Sequence, residues 1–261
     1  KIKDIKTSGF NIYTFNYGYK KFKDDLLVIV FEKFVEFANV FTQSSTPAAP
    51  VIWGKKQRKK NNCKVLIVNS GNANAYTGKQ GIESINKYAS CAAKIFNCQL
   101  DQILVSSTGL IGEQLNPNPI ITKLKIIKNS KSKKLIHAAK AIMTTDTYPK
   151  IEFDTVKIKG KKIRIYGIAK GSGMIAPNMA TMLGFIFTDA NIPSVFLKSI
   201  LKKVIGTTFN SITVDGDTST NDMVAIFATG KAKNSKIYNI LDPKLQDFEK
   251  ALHRLSLNLA K

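Results

Sequence analysis

The residue best placed for chemistry is a threonine at the point where a loose segment meets an apolar run. Thr181 begins TMLGFIFTDA, residues 181–190, and the preceding KGSGMIAP, residues 170–177, contains two glycines and a proline. The apolar run predicts a strand that is buried on both faces. Threonine is common in strands, so a simple strand start is the plainer interpretation. The alternative is that the Thr181 hydroxyl is a nucleophile.

A hydroxyl at this position can be activated without a histidine. If the chain is cleaved just before Thr181, the freed α-amine titrates near pH ~8 and can act as the base for the adjacent hydroxyl. Ala180 is small, so the hydroxyl can reach its carbonyl, and Gly171 and Gly173 give the slack that the acyl shift needs. The sequence SSTG at 106–109 is predicted to end a strand and offers a hydroxyl and an N–H group for an oxyanion hole.

The composition allows a substantial core, and the charge raises one alternative function. The chain has 261 residues, 44% of them hydrophobic, which is enough for one large domain or two lobes. No apolar run reaches the ~18 residues of a membrane span, so no membrane partner is expected. The net charge of +22 can indicate nucleic-acid binding. Because the lysines are dispersed and arginines are scarce, we expect no nucleic-acid partner and keep that function as a distant alternative.

The sequence predicts no metal site and no cofactor. Its three cysteines form no CxxC pair and have no histidine or acidic companions at zinc spacing. Reduced thiols of this kind fit a reducing compartment, so a cytoplasmic location is expected. The acidic stretch VDGDTSTND, residues 214–222, lacks the register of a calcium loop and its final glutamate. We interpret that stretch as a structural turn lining the site.

Strands and helices are interspersed along the chain, which predicts α/β or α+β layering around central sheets. Apolar residues at helical spacing predict helices at 82–96, 133–143, 192–205 and 242–261. Apolar runs and turn signals predict strands at 63–70, 102–109, 181–190 and 223–230. A hairpin that turns at Gly160 is predicted over 156–171. Residues 25–40 mix apolar and charged positions and predict a strand that runs into a loop.

Five segments, in order, resemble the ornithine acetyltransferase (glutamate N-acetyltransferase) family of arginine biosynthesis. They are NSGNANAYTG, VSSTGLIGEQL, MTTDTYPK, KGSGMIAPNMATML and SITVDGDTSTND. The resemblance runs from about residue 8 to the C-terminus. It implies a layered α-β-β-α sandwich similar to N-terminal-nucleophile-like folds.

The resemblance implies self-cleavage followed by acetyl transfer. The family cleaves between the Ala and Thr of its ATML motif, which here gives an α chain of 1–180 and a β chain of 181–261. Thr181 is then expected to take the acetyl group of N-acetylornithine and pass it to glutamate in a ping-pong reaction. Some members also accept acetyl-CoA as donor. The α and β chains are expected to pair and to associate further as (αβ)n.

The resemblance also assigns roles to individual residues. Thr108 and Gly109, in the SSTG turn, match the oxyanion hole, and Thr147, Lys170 and Thr181 match substrate-binding positions. A lysine can hold an α-carboxylate as a point charge. Taken alone, Lys170 in so basic a chain is typical of a solvated lysine, and Thr147 before Tyr-Pro is typical of a turn.

Two further alternatives stay open at this stage. An N-terminal-nucleophile amidohydrolase would use water in place of glutamate as the acceptor. The family pattern also continues beyond LSLNLAK with a glutamate, an asparagine and a serine or threonine that bind substrate, and the sequence ends at Lys261 without them. The chain is therefore expected to be a fragment or a truncated, inactive remnant. It also starts at Lys1 rather than at methionine, so a trimmed N-terminus is expected.

Overall fold

The computed structural model describes residues 5, 7–57, 61–158, 160–171, 182–209, 219–235, 237, 239–240 and 242–260. The strands within these ranges are β1 Phe10–Phe15, β2 Leu26–Phe41, β3 Asn62–Asn72, β4 Ile103–Leu110, β5 Lys150–Ile158, β6 Lys161–Lys170, β7 Leu183–Thr188 and β8 Met223–Ala228. The helices are α1 Ala49–Gln57, α2 Gly78–Phe96, α3 Asn118–Lys125, α4 Leu135–Ile142, α5 Ser194–Gly206 and α6 Pro243–Ala260.

Strand β2 connects two halves of the sheet. The strand order is β4-β3-β2-β8-β7-β6-β5, and β1 pairs with β2 outside this path. The first part of β2 pairs antiparallel with β3, its last part pairs antiparallel with β8, and the register shifts between Val30 and Val35. Such an irregularity bends a strand and increases its twist. The prediction of a strand running into a loop over 25–40 was wrong, because two different partners keep β2 extended through Phe41.

The two halves of the sheet stack face to face. Phe10 of β1 lies 4.6 Å, between ring centroids, from Phe187 of β7, although β1 and β7 do not pair as strands. Along β7, Leu183, Phe185 and Phe187 belong to this inner core, while Ile186 faces the helices on the other side. This period-two alternation explains why a strand with no polar face reads as a continuous apolar run.

Helices cover both outer faces of the stacked sheets. Side chains of α5 and α6, among them Leu201 and Leu255, pack on the outer face of β6, β7 and β8. Side chains of α2 and α3, among them Ile85 and Leu124, pack on the outer face of β3 and β4. The predicted layered α-β-β-α sandwich is therefore confirmed. Helix α4 differs, because its apolar residues join the inner core between the sheets.

The sandwich brings the ends of five strands to one edge. Asn221, two residues before β8, donates from Nδ2 to the Ala73 carbonyl at 2.6 Å and to the Ser107 carbonyl at 2.9 Å, so it links the two sheets directly. On the same edge β3, β4 and β6 end, and β7 and β8 begin. Thr108 and Lys170 continue the inward-facing alternation of β4 and β6.

The boundaries of several elements differ from the predicted ones. The hairpin turns at Gly160, as predicted, but its first strand begins at Lys150 because β5 pairs with β6 over its whole length. The predicted strand at 181–190 is observed from Leu183 to Thr188. Of the predicted turn at 214–222, residues 214–218 lie outside the described residues. No helix in the described part of the chain is long and apolar enough to cross a membrane.

Candidate functional site

Lys170 is a buried lysine at the end of β6, and it joins residues from three parts of the chain. The residue is 2% exposed. Its Nζ donates to Thr108 Oγ1 at 3.1 Å and to Thr144 Oγ1 at 2.8 Å. Burial of an ammonium group is costly without such partners. Lys170 is therefore not the solvated lysine that composition alone indicates, and the structure brings it into contact with Thr108.

Asp146 completes this cluster and ties the loop after α4 to the end of β6. Its Oδ2 accepts the Thr144 N–H at 2.9 Å and lies 4.0 Å from Lys170 Nζ. Its Oδ1 accepts the Gly171 N–H at 2.7 Å. Burial lowers the pKa of Lys170, and the charges of Asp146 and Asp222 oppose that shift. Asp146 and Thr144 were not predicted as site residues, although both lie in the MTTDTYPK segment that carried the resemblance.

Thr147 lies beside this cluster, in the wall of a cavity of about 450 Å³. Thr144 and Asp146 line the same cavity, so it reaches the Lys170 cluster. Its remaining lining residues are mostly charged: Lys20, Lys23, Asp24, His137, Lys140, Met143 and Pro149. Because both signs of charge are present, the cavity suits a zwitterionic ligand such as an amino acid. The substrate-binding role of Thr147 stays a prediction.

The Thr108–Gly109 turn is held against the backbone of β3. Gly109 has φ +133°, and a Cβ there would lie 2.2 Å from the Gly71 carbonyl carbon and 2.6 Å from Asn72 N. Only glycine fits such a position. The Thr108 side chain is buried and accepts a hydrogen bond from Lys170, so its own hydroxyl hydrogen is left for another acceptor. A hydroxyl donor beside a lysine can stabilise a developing oxyanion.

A buried polar network holds the end of β4 in place. Ser107 Oγ donates to Asn69 Oδ1 at 2.6 Å, and Asn69 Nδ2 donates to Tyr17 OH at 3.0 Å. Asn221 donates to the Ser107 carbonyl at 2.9 Å. Because these groups are buried, the loss of one partner leaves another unsatisfied. The network therefore resists movement of the neighbouring Thr108.

The start of β7 is held by the residues that start β8. Asp222 Oδ1 accepts the Met182 N–H at 2.7 Å, and the Met223 N–H donates to the Met182 carbonyl at 3.1 Å. Burial raises the pKa of the Asp222 carboxyl to about 8, although the Met182 N–H, the Ser219 hydroxyl and Lys170 each lower it. Ala180 and Thr181, the predicted cleavage site and nucleophile, lie outside the described residues. Met182, the next residue, is described.

Comparisons with known proteins agree with the resemblance. Residues 11–261 match the ArgJ family. The arginine biosynthesis bifunctional protein ArgJ of Bradyrhizobium diazoefficiens is 44% identical over 259 residues, which cover 97% of this chain and 63% of that protein. The chain thus spans a little over three fifths of the length of this curated relative.

Two solved structures are similar in both fold and sequence. The structure of the arginine biosynthesis bifunctional protein from Bacillus halodurans has a TM-score of 0.60 and 31% identity, and it covers 67% of this chain and 91% of that chain. Ornithine acetyltransferase from Mycobacterium tuberculosis, solved in complex with ornithine, has a TM-score of 0.55 and 26% identity, covering 67% and 93%. Since the family match spans almost the whole sequence and a relative shares 44% identity over it, the chain belongs to the ArgJ family.

Proposed function

We propose that this protein is an acetyltransferase of arginine biosynthesis that moves an acetyl group from N-acetylornithine to glutamate. Its relatives are named arginine biosynthesis bifunctional proteins, and a similar structure is named an ornithine acetyltransferase and holds ornithine. The observation that carries the proposal is the buried contact of Lys170 with Thr108, at the edge where β7 begins. This contact places a cation and a hydroxyl donor next to the strand that follows the predicted nucleophile.

The first proposed step is self-cleavage. The Thr181 hydroxyl attacks the Ala180 carbonyl carbon, the peptide C–N bond breaks, and the acyl group moves from nitrogen to oxygen. Water then hydrolyses the ester. The products are an α chain of 1–180 and a β chain of 181–261 that starts with a free α-amine. That amine is the base that a threonine hydroxyl otherwise lacks.

Acetyl transfer follows in two halves. The Thr181 amine takes the hydroxyl proton while the oxygen attacks the acetyl carbonyl of N-acetylornithine. The amine then returns the proton to the departing nitrogen, so ornithine leaves and acetyl-Thr181 remains. The amino group of glutamate attacks this ester and gives a proton to the Thr181 amine, the bond from the acetyl carbon to the Thr181 oxygen breaks, and that oxygen takes the proton back. The products are N-acetylglutamate and the free Thr181 hydroxyl. The Thr108 hydroxyl and the Gly109 N–H stabilise the oxyanion in both halves, and loss of one such donor typically slows a reaction ~10²–10³-fold.

Lys170 and Thr147 bind the substrates in this proposal. Ornithine and glutamate share an α-carboxylate, and a buried ammonium suits it because a charged hydrogen bond is strong where water is excluded. The neighbouring cavity is lined by residues of both charges. It therefore suits both the positively charged side chain of N-acetylornithine, the acetyl donor, and the negatively charged side chain of glutamate, the acetyl acceptor. Every group that the reaction needs comes from the protein and its substrates, so we propose no cofactor. Acetyl-CoA as a second donor, association as (αβ)n and a cytoplasmic location are parts of the same proposal.

Intact-mass spectrometry of freshly purified protein tests the cleavage step. The wild type is expected to give the fragments 1–180 and 181–261, and Thr181→Ala a single chain. Thr122→Ala, which changes an exposed threonine on α3, is the matched control and is expected to cleave as the wild type does. An uncut wild-type chain would contradict the proposal.

Acceptor dependence separates the transferase from an amidohydrolase. Release of ornithine from N-acetylornithine is followed with and without glutamate. A transferase needs glutamate for continued turnover and forms N-acetylglutamate in equal amount. Ornithine release at the same rate without glutamate, with acetate as the second product, would establish the hydrolase instead.

A further inference from the structure

Lys20 is a lysine in the wall of the cavity beside the Lys170 cluster. It lies in the loop between β1 and β2 and is half-buried. Its Nζ donates to the Ala141 carbonyl at 3.0 Å and to the Asp24 carbonyl at 3.3 Å. Both acceptors are neutral, and no carboxylate of the described residues forms an ion pair with this ammonium. Because an ammonium group has three hydrogens, one is left for a further acceptor.

Lys20 and Lys170 are attached to the same short segment of the chain. Lys20 binds the carbonyl of Ala141 in the last turn of α4, and Lys170 binds the hydroxyl of Thr144, three residues later. The Cα atoms of residues three apart lie within about 11 Å of each other in any conformation. Lys20 and Thr144 also line the same cavity. The structure therefore places two ammonium groups beside one cavity.

The charges around Lys20 favour an anionic ligand. Burial is the main cause of the lowered pKa of the Lys20 ammonium, about 8. The charges of Asp25 and Asp146 oppose that shift. Those of Lys23 and Lys170 contribute to it, so Lys20 and Lys170 repel each other. An anion that binds both ammonium groups would offset this repulsion.

The two carboxylates in the described wall of the cavity already have partners. Asp24 Oδ2 accepts from Lys133 Nζ at 2.9 Å. Asp146 accepts the N–H groups of Thr144 and Gly171 at 2.9 and 2.7 Å. The acceptor for the remaining hydrogen of the ammonium in the loop between β1 and β2 is therefore expected to come from a ligand.

Glutamate has the charges and the length that two such cations require. It carries a carboxylate at each end, whereas N-acetylornithine carries one carboxylate and a side-chain ammonium. The two carboxyl carbons of glutamate are four bonds apart, about 5 Å when the chain is extended. With one charged hydrogen bond at each end, glutamate can bridge nitrogens up to ~12 Å apart. That span suits two cations attached to residues three apart.

We propose that Lys20 selects the acetyl acceptor: its ammonium binds the side-chain carboxylate of glutamate while Lys170 binds the α-carboxylate. This inference rests on the proposed function and deepens it, because it names the residue that recognises the acceptor's side chain. The side-chain ammonium of N-acetylornithine is repelled by Lys20 and lies elsewhere in the cavity. Lys20 therefore distinguishes the acceptor from the donor.

The competing explanation is that Lys20 only stabilises the end of α4. The Ala141 carbonyl also accepts the Ser70 hydroxyl at 2.6 Å, so it keeps a donor when Lys20 is replaced. Lys20→Met retains an apolar stem of similar length without the charge, and we expect it to fold. Lys20→Arg keeps a cation at this position. Lys87→Met, at an exposed lysine on α2, is the matched control. Thermal unfolding of each full-length variant shows whether it is folded.

The experiment measures acetyl transfer at pH 7 with glutamate or glutamine as the acceptor. Glutamine has the shape of glutamate without its side-chain charge. The wild type is expected to prefer glutamate at least tenfold in kcat/KM. Lys20→Met should raise the KM for glutamate at least tenfold, the loss of one charged hydrogen bond, and change the KM for N-acetylornithine less than twofold. Lys20→Arg should retain most of the preference for glutamate, and Lys87→Met should match the wild type.

Each result decides between the two explanations. If the wild type transfers acetyl groups and Lys20→Met keeps the wild-type KM for glutamate, or raises the KM for both substrates equally, Lys20 has only a structural role and this inference is overturned. If Lys20→Met does not fold, the acceptor preference of the wild type carries the test: a tenfold preference for glutamate supports the inference, and equal use of glutamine overturns it. If the wild type forms no N-acetylglutamate, the proposed function fails and takes the inference with it.

Discussion

Replacing Gly109 by alanine is expected to damage the site more than its single added methyl group suggests. Gly109 has φ +133°, where residues with a Cβ are strained, and the new methyl group would lie 2.2 to 2.6 Å from backbone atoms of Gly71 and Asn72. Those atoms belong to β3, which pairs with β4 in parallel at this point. Because they are backbone atoms inside a sheet, they cannot rotate out of the way as a side chain would.

The expected loss of stability follows from these two contributions. An L-residue in a left-handed backbone conformation costs roughly 1–2 kcal/mol. An added carbon in a packed region costs a further ~1–3 kcal/mol. The sum of about 2–5 kcal/mol corresponds to a Tm lower by roughly 4–20 °C in a chain of this size. Relief of the clash requires β4 to move away from β3, so the Gly109 N–H is also displaced, and transfer per folded molecule is expected to fall ~10²-fold or more.

Gly160→Ala provides the matched control. Gly160 also has a positive φ, +79°, but a Cβ there would meet no atom within 4 Å. It should therefore show only the backbone contribution of about 1–2 kcal/mol, a Tm lower by roughly 2–8 °C. Thermal unfolding followed by circular dichroism compares the two variants. If Gly109→Ala loses no more stability than Gly160→Ala, the close approach of the strands is not the reason for a glycine at position 109.

Four further changes test other parts of the structure. Lys170→Met should lower kcat/KM for N-acetylornithine roughly 10- to 150-fold, which corresponds to the loss of one charged hydrogen bond, and unchanged kinetics would remove Lys170 from the site. Asp25→Ala should lower the Tm by roughly 6 °C or more, because Asp25 accepts three backbone N–H groups; an unchanged Tm would contradict this. Iodoacetamide at pH 8 should label Cys98 before Cys63, whose pKa is raised to about 12 by burial; peptide masses showing the reverse order would refute it. Since the pKa of Asp222 is raised from about 4 to about 8, the folded state retains a proton that the unfolded state releases. The contribution of the Asp222 carboxyl to the free energy of unfolding therefore falls as the pH rises between those values, by up to about 6 kcal/mol. The Tm of Asp222→Asn relative to that of the wild type should accordingly rise from pH 5 to pH 8, and a constant difference would contradict this.

Candidate site residues that lie in a recognisable motif could be predicted from the sequence. Residues whose contacts depend on how distant segments meet in the folded chain could not. Thr108 and Lys170 each lie in a short motif at a strand end, so resemblance was enough to find them. Asp222 was seen only as part of an acidic turn, because its contact with Met182 crosses 40 residues and depends on parallel pairing of β7 with β8. Asp146 was missed for a similar reason, since its contact with Gly171 depends on how the loop after α4 meets the end of β6.

The limits of the β2 prediction have the same origin. Residues 25–40 carry charged positions in their middle, which resemble the end of a strand. In the structure the strand continues, because β3 pairs with it from Leu26 to Glu36, across an irregularity between Val30 and Val35, and β8 pairs with it from Glu36 to Phe41. A local pattern cannot reveal that one strand pairs in both halves of the sheet. The layered class was nevertheless predictable, since it depends on the alternation of apolar strands and helices and not on their exact ends.

Two neighbouring residues explain why the short turn before β8 is polar and buried. Asn221 binds the carbonyls of Ala73 and Ser107 in the other sheet, while Asp222 binds the N–H of Met182 within its own sheet. The first contact joins the two halves of the sheet next to Thr108. The second sets where β7 begins. In the proposed reaction Thr108, at the end of β4, and β7, the strand that follows the predicted nucleophile, come from different halves of the sheet, so their separation depends on both contacts at once. A change of either residue is therefore expected to disturb the reaction even though neither needs to bind the substrate.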